Sequence, residues 1–102
     1  MSELHTVNKS PFEKNSLETC LRLSKAGSSI LLYEDAVYGA LKNTVITDLV
    51  SSAAGDRKVY VLEPDLKARG LSADRVIEGV EMVDYAGFVD LVDASNKVQA
   101  WV

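Results

Sequence analysis

The stretch that decides the fold is Ser28-Ser29-Ile30-Leu31-Leu32-Tyr33-Glu34-Asp35, an almost uninterrupted apolar run that ends in two carboxylates. A strand with one face in water alternates apolar and polar residues, whereas a strand covered on both faces is apolar along its length. The run therefore predicts a strand of a parallel sheet that lies between two layers of helices.

Further segments on both sides of this run have the composition of strands, and segments with helical spacing separate them. The predicted strands are 4–7, 28–35, 58–62, 80–83 and 98–102, and the predicted helical segments are 15–26, 36–41, 43–54, 64–69, 72–77 and 85–92. Strands that alternate with helices build right-handed βαβ units. We therefore expect an α/β fold: one three-layer doubly wound domain over residues 1–102, flavodoxin-like, with a mostly parallel sheet of about five strands.

The ends of the helices are marked by capping residues. Ser10 and Asn15 compete as the N-cap of the first helix, because each has a Glu three residues later. Asp35 and Asp84 are the predicted N-caps of two later helices.

Composition limits the function. The 102 residues contain 11 Lys and Arg against 15 Asp and Glu, a formal charge of −4, and without a basic cluster this charge disfavours direct binding to nucleic acid. A single cysteine excludes an intrachain disulfide and suits a reducing compartment, so we expect a cytoplasmic protein. The segment 1–5 lacks the features of a signal peptide, and no apolar run reaches the roughly 20 residues that span a bilayer. We therefore expect no membrane association.

Ligands of doubly wound folds bind at the carboxyl ends of the strands. In this chain those ends are predicted at 8–15, 34–38, 63–65 and 84–87, and together they are acidic, which disfavours an anionic ligand. The segment after the first strand has no glycine to cradle a flavin phosphate, and Asn8-Lys9 stands where a response regulator would have carboxylates. We expect no cofactor.

Two further kinds of site lack support in the sequence. Metal binding needs a cluster of ligands, and Cys20 and His5 are the only residues of their types and lie far apart. His5 falls in a predicted strand, where a structural role is the stronger interpretation. Serine hydrolase chemistry lacks a G-x-S-x-G motif.

The only thiol, Cys20, lies in the first helix. At 100° per residue it falls within the apolar arc of Leu17, Leu21 and Leu23. Burial among apolar side chains raises the pKa of a thiol and suppresses its reactivity, so a packing role is favoured over a nucleophilic one. The chain also has no C-x-x-C pair, and a mid-helix cysteine is unlike the loop cysteine of a rhodanese.

Several blocks resemble one known family in their order and spacing across nearly the whole chain. They are Leu4-His5-Thr6-Val7-Asn8-Lys9-Ser10-Pro11, Leu31-Leu32-Tyr33-Glu34-Asp35, Tyr60-Val61-Leu62-Glu63-Pro64-Asp65-Leu66-Lys67-Ala68-Arg69-Gly70, Val83-Asp84-Tyr85-Ala86-Gly87-Phe88-Val89 and Gln99-Ala100-Trp101. By these blocks the chain resembles the DsrH/TusB family of sulfur-relay subunits.

The resemblance implies a small α/β subunit of a cytoplasmic heterohexamer, with two homologous partners of the DsrE/TusD and DsrF/TusC types. It implies relay of persulfide sulfur to a DsrC/TusE-type acceptor, either in dissimilatory sulfur oxidation or in 2-thiolation of the tRNA wobble uridine. The principal active cysteine is then expected on the DsrE/TusD partner. Cys20 is at most an auxiliary persulfide carrier.

Cys20 also bears on the branch of the family. Dsr-type members are similar to this sequence in carrying a cysteine in the first helix, and typical TusB members lack it, so the resemblance favours DsrH and sulfur oxidation. Three alternatives stay open: a TusB-type subunit that serves tRNA thiolation, a purely structural subunit without thiol chemistry of its own, and a stand-alone flavodoxin-like ligand binder.

Overall fold

Five parallel strands form a single sheet in the order β4-β3-β2-β1-β5 in the computed structural model, which describes residues 3–102. The strands are β1 (Glu3–Val7), β2 (Ser29–Leu32), β3 (Lys58–Leu62), β4 (Val80–Val83) and β5 (Lys97–Trp101). The helices are α1 (Ser16–Leu23), α2 (Thr47–Ala53), α3 (Glu63–Ala68) and α4 (Tyr85–Ala94), with 3₁₀ segments at Glu34–Ala40 and Ala73–Arg75. The predicted α/β class and five-stranded parallel sheet are confirmed.

The apolar run at residues 28–35 lies at the centre of this sheet. β2 pairs with β1 on one side and with β3 on the other, and its residues Ile30, Leu31 and Leu32 are all fully buried. A central parallel strand has helices over both faces, which explains why its sequence does not alternate.

One face of the sheet is covered by most of the helical structure. Val7, Ile30, Leu32, Val59 and Val61 point to this face, because side chains alternate along each strand. They pack into one buried cluster with residues of α1, α2, α3 and the first 3₁₀ segment, among them Leu17, Cys20, Val37, Val50 and Leu66. We call this the packed face.

Within residues 3–102, α4 is the one helix that covers the opposite face. The chain leaves β4 at one edge of the sheet and returns as β5 at the other, and a right-handed crossover in this direction places α4 opposite α1 to α3. Leu4, Leu31 and Leu62 lie beneath this layer and are buried. No residue of α4 is itself buried. We call this the α4 face.

Several local predictions are corrected by the structure. β2 covers only Ser29–Leu32 of the apolar run at residues 28–35, and α1 ends at Leu23, not at Ala26. Asn15 occupies the N-cap position of α1, but its side chain makes no capping bond. Ser10 begins a separate turn, because its carbonyl accepts from the N–H groups of Glu13 and Lys14.

Of the two later N-cap predictions, that for Asp84 is confirmed and that for Asp35 is wrong. Asp84 caps α4 as predicted, since its Oδ1 accepts from the N–H of Gly87 at 2.8 Å. Asp35 is not a cap, because it lies inside the 3₁₀ segment that begins at Glu34. Its carboxylate instead pairs with Arg69, whose Nη2 lies 2.8 Å away.

Gly39 lies in close contact with α1, and a side chain here would displace the side chain of Leu17. A Cβ at this position would stand 2.5 Å from Cδ2 of Leu17. The glycine therefore lets the 3₁₀ segment approach α1 closely.

Candidate functional site

The thiol of Cys20 lies within the packed face. Its residue is 0% exposed, and it belongs to the buried cluster together with Leu17 and Leu21 of the same helix. The predicted apolar arc is therefore correct for these three residues, whereas Leu23 points to solvent. No surface of Cys20 is available to a second thiol in this conformation.

The environment of the thiol favours its neutral form. Burial raises the pKa of Cys20 from its ordinary value of 9.0 to about 12, and the positive charge of Arg57 offsets only part of this effect. The guanidinium of Arg57 is itself held nearby, because its Nη1 donates to the carbonyl of Leu21 at 2.7 Å. Since the thiolate is the nucleophile in sulfur transfer, this environment suppresses reactivity at neutral pH.

A small cleft opens beside the thiol without reaching it. It encloses about 150 Å³ between α1 and α2, and Leu21, Leu49 and Arg57 are among its lining residues. Arg57 thus has one side toward solvent and the other toward the helix that carries Cys20. This placement cannot be predicted from local pattern, because residue 57 follows a different helix.

The acidic residues predicted at the carboxyl edge of the sheet lie there, and the carboxylates of Asp35 and Asp65 form hydrogen bonds that hold the backbone after β2. The backbone of Glu34 has a φ of +49°, in the left-handed region that non-glycine residues seldom adopt. Its N–H donates to Oδ2 of Asp65 at 2.6 Å. Arg69 joins the same group, donating to the carboxylate of Asp35 and to the carbonyl of Asp65. These bonds fix the turn that follows β2.

The start of α4 is fixed at the same edge. The ring of Phe88 lies against Tyr33 at the end of β2, with ring centroids 5.8 Å apart. Together with the Asp84 cap, this contact sets the orientation of α4 over the sheet. The contacts of Asp65 and Arg69 hold the turn after β2, and those of Phe88 and Asp84 hold α4. Neither group of contacts brings a nucleophile to the surface.

His5 lies in β1, and its side chain contacts Trp101 of the neighbouring strand β5. Its Nδ1 accepts from Nε1 of Trp101 at 3.0 Å, and its Nε2 lies 3.3 Å from a carboxylate oxygen of Glu3. The residue is buried. Sequence reasoning placed His5 in a strand but missed Trp101 as its partner, because the two are 96 positions apart.

The described part of the chain offers no grouping of three or more His, Cys, Asp and Glu side chains suited to a metal ion. Within residues 3–102, no helix combines the length and apolar character needed to cross a bilayer.

The model of the DsrH-like protein family matches residues 9–98. The chain belongs to the DsrH/TusB family. The resemblance read from its sequence blocks is thereby confirmed.

Curated relatives of this DsrH/TusB chain extend over nearly its full length. It is 35% identical to Protein TusB of Pectobacterium parmentieri over 99 residues, which are 96% of this chain and 99% of that protein. It is 36% identical over 98 residues to Protein TusB of Erwinia tasmaniensis, with 96% and 99% of the two chains covered. Both relatives carry the TusB name.

Solved structures share the fold of this family member. The YchN protein of E. coli superposes with a TM-score of 0.80 over 99% of this chain and all of its own, at 21% identity. MTH1491 of Methanobacterium thermoautotrophicum, described as a protein of unknown function, gives a TM-score of 0.73 at 15% identity, with 96% and 97% covered. At these identities the likeness concerns the fold.

Proposed function

We propose that this chain is a TusB-type subunit of a cytoplasmic sulfur relay that serves 2-thiolation of the tRNA wobble uridine. The observation that carries the proposal is the full-length similarity to proteins named TusB. The sulfur-oxidation reading depends on Cys20 as a marker of the DsrH branch. A thiol packed like a small apolar side chain is weak evidence for a branch, because other small residues fill the same space.

The proposed assembly contains homologous partners. We expect this subunit, as one domain over residues 1–102, to join TusD-type and TusC-type chains in a heterohexamer that passes sulfur to a TusE-type acceptor. The principal persulfide cysteine then belongs to the TusD-type partner. The acidic surface of this chain agrees with a role that involves no direct contact with tRNA.

Within this assembly we propose a structural role for Cys20. A persulfide carrier must expose a thiolate that bonds to the outer sulfur of a donor persulfide, releases the donor thiolate, and later yields that sulfur to the next thiol. Cys20 is 0% exposed, and its pKa is raised to about 12. Both properties support packing as its role over the auxiliary carrier expected from the resemblance.

Deletion and complementation in the host organism test the function. We expect deletion of the gene to abolish 2-thiouridine in wobble-position tRNA, measured by nucleoside mass spectrometry. Wild type and Cys20→Ala should both restore it. The purified complex should contain the TusD-type and TusC-type chains in equal amounts.

The outcomes separate the two branches and the two roles of Cys20. Unchanged tRNA thiolation, accompanied by loss of sulfur oxidation, would show that the chain serves the DsrH branch. If Cys20→Ala assembles normally but fails to restore thiolation, while wild type restores it, Cys20 takes part in the transfer. Mass spectrometry of the complex after loading with a persulfide donor then locates the added sulfur.

A further inference from the structure

The outer side of α4 carries an apolar stripe formed by Tyr85, Val89 and Val92. Their spacing of four and three residues places them on one side of the helix. They are 60%, 57% and 38% exposed. Three large apolar side chains in a row on one helix mark an interaction surface more strongly than scattered ones do.

The residues of the stripe are not the ones with which α4 packs against the sheet of its own chain. Phe88 and Leu91 fill that role, since they are the partly buried large residues of α4. Phe88 also contacts Tyr33, and the N-terminus of the helix is capped by Asp84. The helix is therefore held in place with the stripe turned away from the sheet.

The α4 face exposes more apolar surface on the neighbouring edge strand. Val98 of β5 pairs with Leu4 of β1, so its side chain lies on the same face of the sheet as α4. It is 46% exposed. In the described part of the chain, no strand pairs with the edge of β5 that faces away from β1.

Charge defines the chemistry of the occupant. Asp90 and Asp93 are exposed and border the stripe on one side, and α4 contains no Lys or Arg. Pairing of α4 with α4 of a second copy would bring the carboxylates of both chains together, and neither helix supplies a cation to neutralise them. An anionic membrane surface is repelled by the same groups. A complementary surface carries an apolar groove bordered by basic side chains.

We infer that the α4 stripe docks a different protein chain through an apolar groove edged with Lys or Arg. The inference deepens the proposed function, because it gives the relay subunit a specific surface for a partner subunit. Burial of Tyr85 and Val89 supplies the apolar contact, and Asp90 and Asp93 align the partner by charge.

The test uses the full chain and the TusD-type and TusC-type subunits of the same organism. Val89→Glu is compared with Val45→Glu, a matched control because Val45 is 95% exposed in the loop before α2. We expect Val89→Glu to raise the Kd for the partners at least tenfold and Val45→Glu to leave it unchanged. Circular dichroism and thermal unfolding establish that both variants fold.

The charge component has its own variant. The double substitution Asp90→Lys and Asp93→Lys should weaken binding, and the affinity of the wild type should fall as salt is raised. If the charge variant binds as tightly as wild type, the basic border of the groove is wrong.

Failure of the inference is distinguishable from failure of the proposed function. A wild-type chain that binds neither partner overturns the proposed function. Wild-type binding that Val89→Glu leaves intact overturns the docking surface alone. A wild-type homodimer that Val89→Glu dissociates identifies a second copy as the occupant and also overturns the inference.

Discussion

The chain buries the apolar side chains on the two faces of its sheet to different degrees. On the packed face, helices α1, α2 and α3 bury Leu17, Val50 and Leu66 almost entirely. On the α4 face a single ten-residue helix lies over five strands and contains no buried residue. The chain therefore closes one face by itself and leaves apolar surface on the other.

The packed face stabilises the single chain, whereas the α4 face offers a surface for a partner. Apolar side chains of the packed face are removed from water on folding, and their burial stabilises the isolated domain. Apolar side chains of the α4 stripe remain in water, so they contribute little to the stability of the single chain. The only thiol lies on the packed face, away from the surface that we assign to a partner.

Thiol reactivity gives the largest expected contrast between the faces. At pH 8 the rise in the Cys20 pKa from 9.0 to about 12 lowers its thiolate fraction about a thousandfold, since each pKa unit is a factor of ten. We expect Cys20 to react with iodoacetamide at least that much more slowly than the thiol of a Cys20→Ala/Val89→Cys variant. Comparable rates in the native state would mean that the packed face opens readily.

The same thiol predicts a pH dependence of stability. The unfolded thiol ionises near its ordinary pKa of 9.0 and the folded one near 12, so the unfolded state binds fewer protons within this window. The free energy of unfolding therefore falls with rising pH, by at most about 1.4 kcal/mol per pH unit from this group. Cys20→Ala lacks this contribution, so the stability difference between wild type and variant should narrow above pH 9 in urea titrations.

Truncation of one leucine on each face compares the packing directly. Leu17→Ala removes a fully buried side chain and should lower the free energy of unfolding by about 3 kcal/mol. Leu91→Ala on α4 removes a partly buried one and should cost about 1 kcal/mol. Chemical denaturation of the isolated chain measures both, and equal losses would contradict the difference between the faces.

Edge strand β5 allows both faces to be compared within one strand, because its side chains alternate between the packed face and the α4 face. Trp101 packs on the packed face and donates to His5, so Trp101→Phe should cost about 1 kcal/mol through loss of the hydrogen bond. Val98→Thr on the α4 face should change stability by less than about 0.5 kcal/mol. A larger cost for Val98→Thr would show that Val98 already packs within the single chain.

The parts of the fold that local pattern determines were predicted well. β3 and β4 have the predicted bounds, because Gly55 and Gly79 precede them and helix-forming residues follow. Asp84 caps α4 as predicted, since an N-cap bond joins residues three positions apart.

Contacts between distant residues explain the predictions that failed. Asp35 looks like a cap in the sequence, but its carboxylate is drawn to Arg69, 34 positions later. The left-handed backbone of Glu34 ends β2 early, and it is stabilised by Asp65 from another element. Neither partner is identifiable from the spacing around residues 34 and 35.

The site was predicted in one respect and missed in two. Periodicity placed Cys20 among apolar neighbours, and the structure confirms this. The approach of Arg57 to α1 depends on how α1 and α2 pack, which local pattern does not encode. The outer stripe of α4 was also missed, because the helical segment is apolar around most of its circumference and its spacing alone does not show which apolar residues face the sheet; the two carboxylates at positions 90 and 93 were the available signal.

The pairing of β1 with β5 has a kinetic consequence. Strand β1 remains without its second neighbour until residues 97–101, more than 90 positions later in the chain, join the sheet, and pairing over such a separation is slow to form during folding. Trp101 is the only tryptophan of the chain and lies at this junction. Its fluorescence is therefore a built-in reporter of the closing step, and it allows refolding of the last strand to be timed without a label.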